Sequence, residues 1–305
     1  MKIYHGFFSE CGPRRNNEDY IDFRYMPEHN RAVFVLCDGM GGHDCGEVAS
    51  RFVAEHICGY WEKNPKRPDS EKKIIDACQE TKIAYDNKSR VEMGTTMAMV
   101  AIEGNKAILA HCGDSRIYMV RDGKIIYQSL DHVALTPEGW PIITRAFFTG
   151  RNNFNPEIRM IDVKVGDMIL ICSDGVYGNG KWNALKDALE GKDVYSYPLC
   201  TIEKIASENA HDNYSAILIR IGKDEPEDKT DTYLFKLNRK RKDSDEKMIP
   251  VEYFRLRREA MDRLVEMNCY SREKEIYQYG VSRSTDGHGA KWIKRTTVTN
   301  STQYV

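Results

Sequence analysis

The chain has 305 residues, twice the span of a ~150-residue domain, so it holds one large domain or a domain with an appendage. Lys plus Arg (45) nearly balances Asp plus Glu (46), a formal net charge of -1 that leaves no global basic field for nucleic acid or an anionic membrane. At 41% hydrophobic and 10% aromatic, with no run near the ~18 apolar residues of a membrane span, it is expected to be globular and soluble.

The opening MKIYHGFFSECGPRR turns polar by residue 9 and lacks the apolar run and small-residue cleavage site of a secretory signal. The nine cysteines form no CxxC pair, and Cys37, Cys112 and Cys172 each end an apolar run, where a reduced thiol packs as a small hydrophobe. A cytoplasmic location is the expectation. A thiol nucleophile is the sharper alternative, but no cysteine has an activating base nearby in sequence.

In chain order, RAVFVLC (31–37) predicts the first strand. EVASRFVAEHICGYWEK (47–63) and SEKKIIDACQETKIAYDNK (70–88) follow, with apolar residues three and four apart, and predict amphipathic helices. Short β-prone runs then recur at 94–102, 106–112, 116–122, 157–163, 167–173 and 213–221. Strands grouped into hairpins with helices between the groups indicate an α+β sandwich rather than a repeating parallel unit. Composition breaks near residue 222: 33 of the last 83 residues are charged against 58 of the first 222. GKDEPEDKTD at the break reads as a solvated linker, so residues 1–222 and 223–305 are expected to be separate parts. In the second part, residues 250–268 place apolar side chains at helical spacing behind Pro250, and predict a helix with one apolar face. That helix either docks on the first part or, with the basic cluster Arg239 to Lys242, recruits a partner. KWIKRTTVT (291–299) alternates well enough for a strand.

The placement of aspartates carries the chemistry. VFVLC runs into Asp38-Gly39, MILICS into Asp174-Gly175 and AILAHCG into Asp114, while Asp212-Asn213 precedes YSAILIRI. Each Asp-Gly alone is an ordinary turn dipeptide. Four apolar strands with an aspartate at one tip are different, because antiparallel neighbours bring such tips together. Carboxylates gathered at the dry end of a sheet repel and lose solvation, a cost that a cation removes. Hard oxygen donors without a His/Cys cluster favour Mg²⁺ or Mn²⁺ over zinc.

The remaining motifs are GPRRNNEDY (12–20), VLCDGMGGHDCGEVAS (35–50), GTT (94–96), AHCGDSRIYMVRDGK (110–124), ITRAF (143–147), LICSDGVYG (170–178) and HDNYSAILI (211–219). In this order and spacing, over about residues 1–222, the chain resembles the metal-dependent protein phosphatases of the 2C type in their bacterial form. The resemblance implies a four-layer α+β sandwich, two central antiparallel sheets flanked by helices, with a charged C-terminal extension beyond it. It also implies a protein serine/threonine phosphatase that works without a phosphoenzyme, through a hydroxide bridging two Mn²⁺ or Mg²⁺ ions.

By position, Asp38, Asp174 and Asp212 resemble the ligands of the first metal. Asp19, the bridging Asp38 and the Gly39 carbonyl resemble those of the second, with Glu18 alongside. Asp114 matches the position that helps hold a third, weaker ion. Arg14 matches the phosphate-binding arginine, with Arg15 as the alternative. Met40 stands where eukaryotic members carry a histidine, so His43 is the nearest candidate for proton transfer, metal-bound water being the other source. The implied partners are a phosphoserine or phosphothreonine protein and an opposing kinase, with no nucleic acid and no membrane. Two segments depart from the pattern: only VALTPEGWPI (133–142) separates LDH from ITRAF, where relatives carry a longer flap, and the stretch after SDG is abbreviated. A pseudophosphatase that binds phosphoproteins as a scaffold is the competing reading, and so is a phosphatase dedicated to one regulatory partner.

Overall fold

The computed structural model describes residues 2–26, 31–40, 45–88, 92–191, 198–222, 235–241, 249–254, 263–264, 266–267 and 277–283. The chain divides into two compact units, Met1–Lys223 and Asp224–Gln303. In the first unit β1 (Lys2–Glu10), β2 (Asp19–Met26) and β3 (Arg31–Met40) precede two long helices, α1 (Gly46–Lys63) and α2 (Glu71–Lys88). Strands β4 (Gly94–Thr95), β5 (Met97–Glu103), β6 (Lys106–Cys112), β7 (Arg116–Arg121) and β8 (Lys124–Gln128) follow. Next come β9 (Val133–Leu135), β10 (Pro141–Ile143), β11 (Phe147–Phe148), β12 (Glu157–Asp162) and β13 (Met168–Cys172). Helices α3 (Asp174–Tyr177), α4 (Trp182–Glu190) and α5 (Pro198–Ser207) then lead into β14 (Tyr214–Gly222).

Two antiparallel sheets face each other. One runs β1-β14-β13-β7-β8; the other runs β11-β4-β3-β5-β6-β12 with β2 on the free edge of β3. The alternation of side chains along buried strands makes the layers. Ala32, Phe34 and Leu36 of β3 point toward Ile169 and Ile171 of β13 and Ile217 and Ile219 of β14, forming the core between the sheets. Val33, Val35 and Cys37, one residue out of phase, join Ala49, Val53, Ile57 and Trp61 of α1 and Ile74 and Cys78 of α2 in a second core. On the far side, Trp182 of α4 stacks on Tyr118 of β7 at 5.3 Å. The result is an α+β fold of helix, sheet, sheet and helix layers.

The expected strand at 94–102 is two strands, because the Thr96 hydroxyl accepts from the Asp38 amide (2.9 Å) where a ladder carbonyl would otherwise do so. β1 and β2 are strands beyond those that the apolar runs predict.

The second unit contains an antiparallel sheet in the order β16-β15-β17, formed by β15 (Phe235–Arg241), β16 (Ile249–Phe254) and β17 (Tyr277–Arg283). The helix expected over 250–268 is therefore corrected at its start: 249–254 is an edge strand, and helical residues are described only at 263–264 and 266–267. Pro250 sits opposite Asn238 at a register shift of that edge, where a missing N–H is tolerated. Arg239 to Arg241 of the basic cluster lie in β15, whereas Lys242 and residues 291–299 lie outside the described residues.

Candidate active site

The carboxylates meet at one end of the sandwich. In the β2–β3 ladder Asp19 is the register partner of Asp38, so two acids stand directly opposite each other. From the other sheet, Asp174 follows β13 and opens α3, and Asp212 precedes β14, the antiparallel neighbour of β13. Asp114 lies in the turn between β6 and β7. Arg14, Arg15, Glu18, Asp38, Gly39, Thr96, Asp114, Asp174 and Asp212 are among the walls of one cleft of about 590 Å³.

Asp19 does not line that cleft. It is buried, and its Oδ2 accepts from the Ser173 hydroxyl at 2.7 Å. Glu18, one residue earlier, faces the cleft instead. The loop that carries both is fixed by Asn213, whose Oδ1 accepts from the Glu18 amide (2.8 Å) and whose Nδ2 donates to the Cys11 and Asn16 carbonyls (2.7 and 2.8 Å). Gly39 is required sterically: a Cβ there would lie 2.3 Å from the Gly46 carbonyl oxygen and 2.7 Å from that of Glu18. Its amide donates to the Glu18 carbonyl at 3.0 Å, which binds the residues before β2 to the end of β3.

Electrostatics mark the same atoms. Burial first, then Asp19 beside it, pushes the Asp38 carboxyl well above the usual carboxylate range. Burial likewise raises Asp19 to about 7, against the lowering effect of the Ser215 and Ser173 hydroxyls. Asp114 is raised to about 6 by burial and by Asp174, and Asp174 is raised by burial and by Asp212. A cation held among these carboxylates would offset the repulsion and lost solvation that raise them. All the donors are oxygens, which fits Mg²⁺ or Mn²⁺ and not a soft metal.

Arg14 reaches in from the rim: its Nη2 donates to Asp212 Oδ2 at 2.8 Å and its Nε to the His211 carbonyl at 3.2 Å, with its side chain 57% exposed. Arg15 lines the cleft as well. His43, the candidate for proton transfer, lies outside the described residues. Burial pushes the Cys112 thiol up to about 12 and the Cys37 thiol well above its ordinary value, so both stay protonated and poor as nucleophiles.

Sequence reasoning assigns no role to Thr96, Ser173, Tyr177 or Asn213. Thr96 sits in GTT, Ser173 and Tyr177 in LICSDGVYG and Asn213 in HDNYSAILI, so a signal exists for all four. Tyr177, four residues after Ser173, donates its hydroxyl to the Asp114 carbonyl (2.8 Å) while Arg116 stacks on its ring at 3.5 Å and pairs bidentately with Asp131 (both bonds 2.7 Å). These contacts tie the Asp114 turn to α3, which begins with Asp174.

Comparison with known proteins agrees with this geometry. The family model described as Protein phosphatase 2C matches residues 14–217. Protein phosphatase PhpP of Streptococcus pneumoniae is 30% identical over 193 residues, 53% of this chain and 74% of that protein. The crystal structure of the Mycobacterium tuberculosis serine/threonine phosphatase PstP is 28% identical, with a TM-score of 0.60 over 72% of this chain and 99% of that one. The PstP catalytic domain in complex with two manganese ions matches equally, at 28% identity and a TM-score of 0.59, covering 72% of this chain and 99% of that one. The chain belongs to the protein phosphatase 2C family of serine/threonine protein phosphatases.

Proposed function

We propose that this chain hydrolyses phosphoserine and phosphothreonine esters in proteins by direct transfer of the phosphoryl group to water, at a site that holds two divalent cations. The observation that carries the reading is the cleft that unites Asp38, Asp174 and Asp212 from both sheets with Glu18 and the Gly39 backbone. Asp38, Asp174 and Asp212 would hold one cation; Asp38, Glu18 and the Gly39 carbonyl would hold the other, with Asp19 buried against Asp38. Asp114 is the candidate for a third, weaker ion. Divalent-metal dependence accords with the two manganese ions of the PstP catalytic domain. When bound, such ions supply charge neutralisation and a more acidic water.

The chain's own residues do the rest. The rim guanidinium of Arg14, which Asp212 holds at 2.8 Å, presents a planar fork to phosphoryl oxygens and orients the ester. Asn213 holds the loop that carries Glu18, and Thr96 holds the end of β3 that carries Asp38, so the carboxylates are fixed before substrate arrives. Residues 1–222 are assigned the catalysis, and a Ser/Thr kinase is the implied source of the substrate.

The test is hydrolysis of a phosphothreonine peptide with Mn²⁺, quenched in acid and examined for phosphate on the protein. Metal-dependent turnover with no trapped phosphoprotein is expected. Phosphopeptide binding without turnover would make the chain a scaffold, and a phosphorylated intermediate would overturn direct hydrolysis.

A further inference from the structure

Among the described residues, the cleft wall carries two cations, Arg14 and Arg15, beside the carboxylates of Glu18, Asp38, Glu47, Asp114, Asp174 and Asp212. The two arginines are neighbours in sequence and differ in bonding. Arg14 is engaged by Asp212 and by the His211 carbonyl. Arg15 is exposed and makes no hydrogen bond or ion pair among the described residues. Its planar fork of donors is therefore open to an anion that enters the cleft with the substrate.

The loop between β1 and β2 fixes the backbone of Arg15 at that wall. Gly12 stands at φ +58°, and a Cβ there would lie 2.3 Å from the Asp212 carbonyl oxygen, so the loop packs directly on the backbone of Asp212. The Cys11 thiol donates to the Arg14 carbonyl at 3.0 Å, and Asn17 Nδ2 donates to the Ser9 hydroxyl at 2.9 Å. Asn213, bonded to the Cys11 and Asn16 carbonyls, closes the loop on both sides of Arg15. Consecutive Cα atoms such as those of Arg14 and Arg15 are ~3.8 Å apart, and an extended substrate advances ~3.3 Å per residue. A group opposite Arg15 thus belongs to a residue within about two positions of the phosphoresidue that Arg14 holds.

We infer that Arg15 is a specificity-determining residue, which favours phosphorylated segments that carry a second anion within two residues of the phosphoresidue. That anion is an acidic side chain or another phosphate. The inference rests on the phosphatase reading above, with Arg14 as the phosphoryl-binding arginine. Without Arg15 a flanking acid would meet the acidic wall alone and be repelled. The guanidinium offsets that repulsion and offers a carboxylate or phosphate a charge-assisted contact, whereas a basic flanking residue meets it as a like charge.

The test uses the full chain with Mn²⁺ and phosphothreonine peptides that have Ala, Asp, phosphoserine or Lys at one of the two positions on either side. Loss of phosphate from the phosphothreonine is read by mass spectrometry. At the position that meets Arg15, Asp is expected to raise kcat/KM about fivefold over Ala, ~1 kcal/mol, mostly through KM, and Lys to lower it. A gain from Asp and phosphoserine alike marks the ligand as any anion, and a gain from phosphoserine alone marks it as a phosphate. In Arg15→Ala the Asp-to-Ala ratio should fall to about one. In Arg15→Glu the order should reverse, with Lys preferred over Asp, a swap that a merely structural role would not produce. Equal kcat/KM for the Ala, Asp and phosphoserine peptides at every position, or an anion preference that survives in Arg15→Ala and Arg15→Glu, would overturn the inference. A loss in both variants that is equal for all peptides would also overturn it, since Arg15 would then act on the phosphoryl group itself. Turnover of the Ala peptides by the wild type separates these outcomes from failure of the phosphatase reading, which would abolish hydrolysis of every peptide.

Discussion

Asp19 and Asp38 are direct cross-strand partners in the β2–β3 ladder, two carboxylates facing one another at the buried end of a sheet. Like charges in that position destabilise a sheet, by ~0.2–1 kcal/mol at ordinary exposure. Protonation of the pair, or a cation beside it, would remove that cost.

Asp38→Asn is therefore expected to separate stability from function. At pH 8 and without metal, its melting temperature should rise by ~1–4 °C because a repulsion is gone. Turnover should fall by ~10²–10³-fold or more, as an electrostatic contact needed in the transition state is lost. Calorimetry and Mn²⁺-dependent turnover on one preparation check both. Near-wild-type turnover at saturating Mn²⁺ would remove Asp38 from the site.

Arg14 is held by Asp212, a proposed metal ligand, so a cation bound there would compete with the guanidinium for that carboxylate and free it for phosphate. Arg14→Ala should lower kcat/KM for phosphopeptides by ~10–100-fold, from the loss of a charge-assisted contact of ~1.5–3 kcal/mol. Steady-state kinetics decide the point: a full effect in Arg15→Ala with none in Arg14→Ala would transfer the role to Arg15.

The raised carboxyls make metal binding depend on pH. Asp19 and Asp114 sit at about 7 and about 6 in the folded chain, against an ordinary 3.8. The folded chain thus keeps protons that the unfolded chain has released, so without metal the stability falls as pH rises from ~4 through ~7. Cations must displace those protons, so Mn²⁺ affinity should climb over the same upper range with measurable proton release. Titration calorimetry in two buffers of different ionisation enthalpy measures it; an affinity independent of pH between ~5.5 and ~7.5 would contradict the assignment.

Much of this is legible in the sequence, for physical reasons. β3, β5, β6, β13 and β14 are buried on both faces and so read as continuous apolar runs, and α1 repeats Ala49, Val53 and Ile57 at helical spacing. The aspartates at the tips of those strands read with them. β2 is hidden because DYIDFRYM, at the edge of its sheet, mixes charges with its buried residues. The burial of Asp19 and the exposure of Glu18 to the cleft depend on which way one loop turns, and that is set by Asn213, 195 residues away from Glu18. The strand at 249–254 reads as helix because Val251, Tyr253 and Phe254 fit either period until a partner strand decides between them.

Both hydrophobic cores around the sheets are built from residues of the first unit. Residues 1–223 alone should then unfold cooperatively and keep p-nitrophenyl phosphate turnover within about twofold, a ~0.4 kcal/mol difference at most. Loss on a physiological phosphoprotein alone would assign recruitment to 224–305, whereas an insoluble fragment would show that those residues belong to the fold.

The carboxylate cluster is proposed to hold two cations on which hydrolysis depends. Manganese stoichiometry by equilibrium dialysis, measured on the wild type and Asp174→Asn together with phosphothreonine-peptide turnover, tests it most directly. Two tightly bound ions are expected per wild-type chain, and in Asp174→Asn a loss of bound metal in step with a loss of turnover. Full turnover by a chain that binds no manganese or magnesium, or undiminished metal binding and activity in Asp174→Asn, would contradict it.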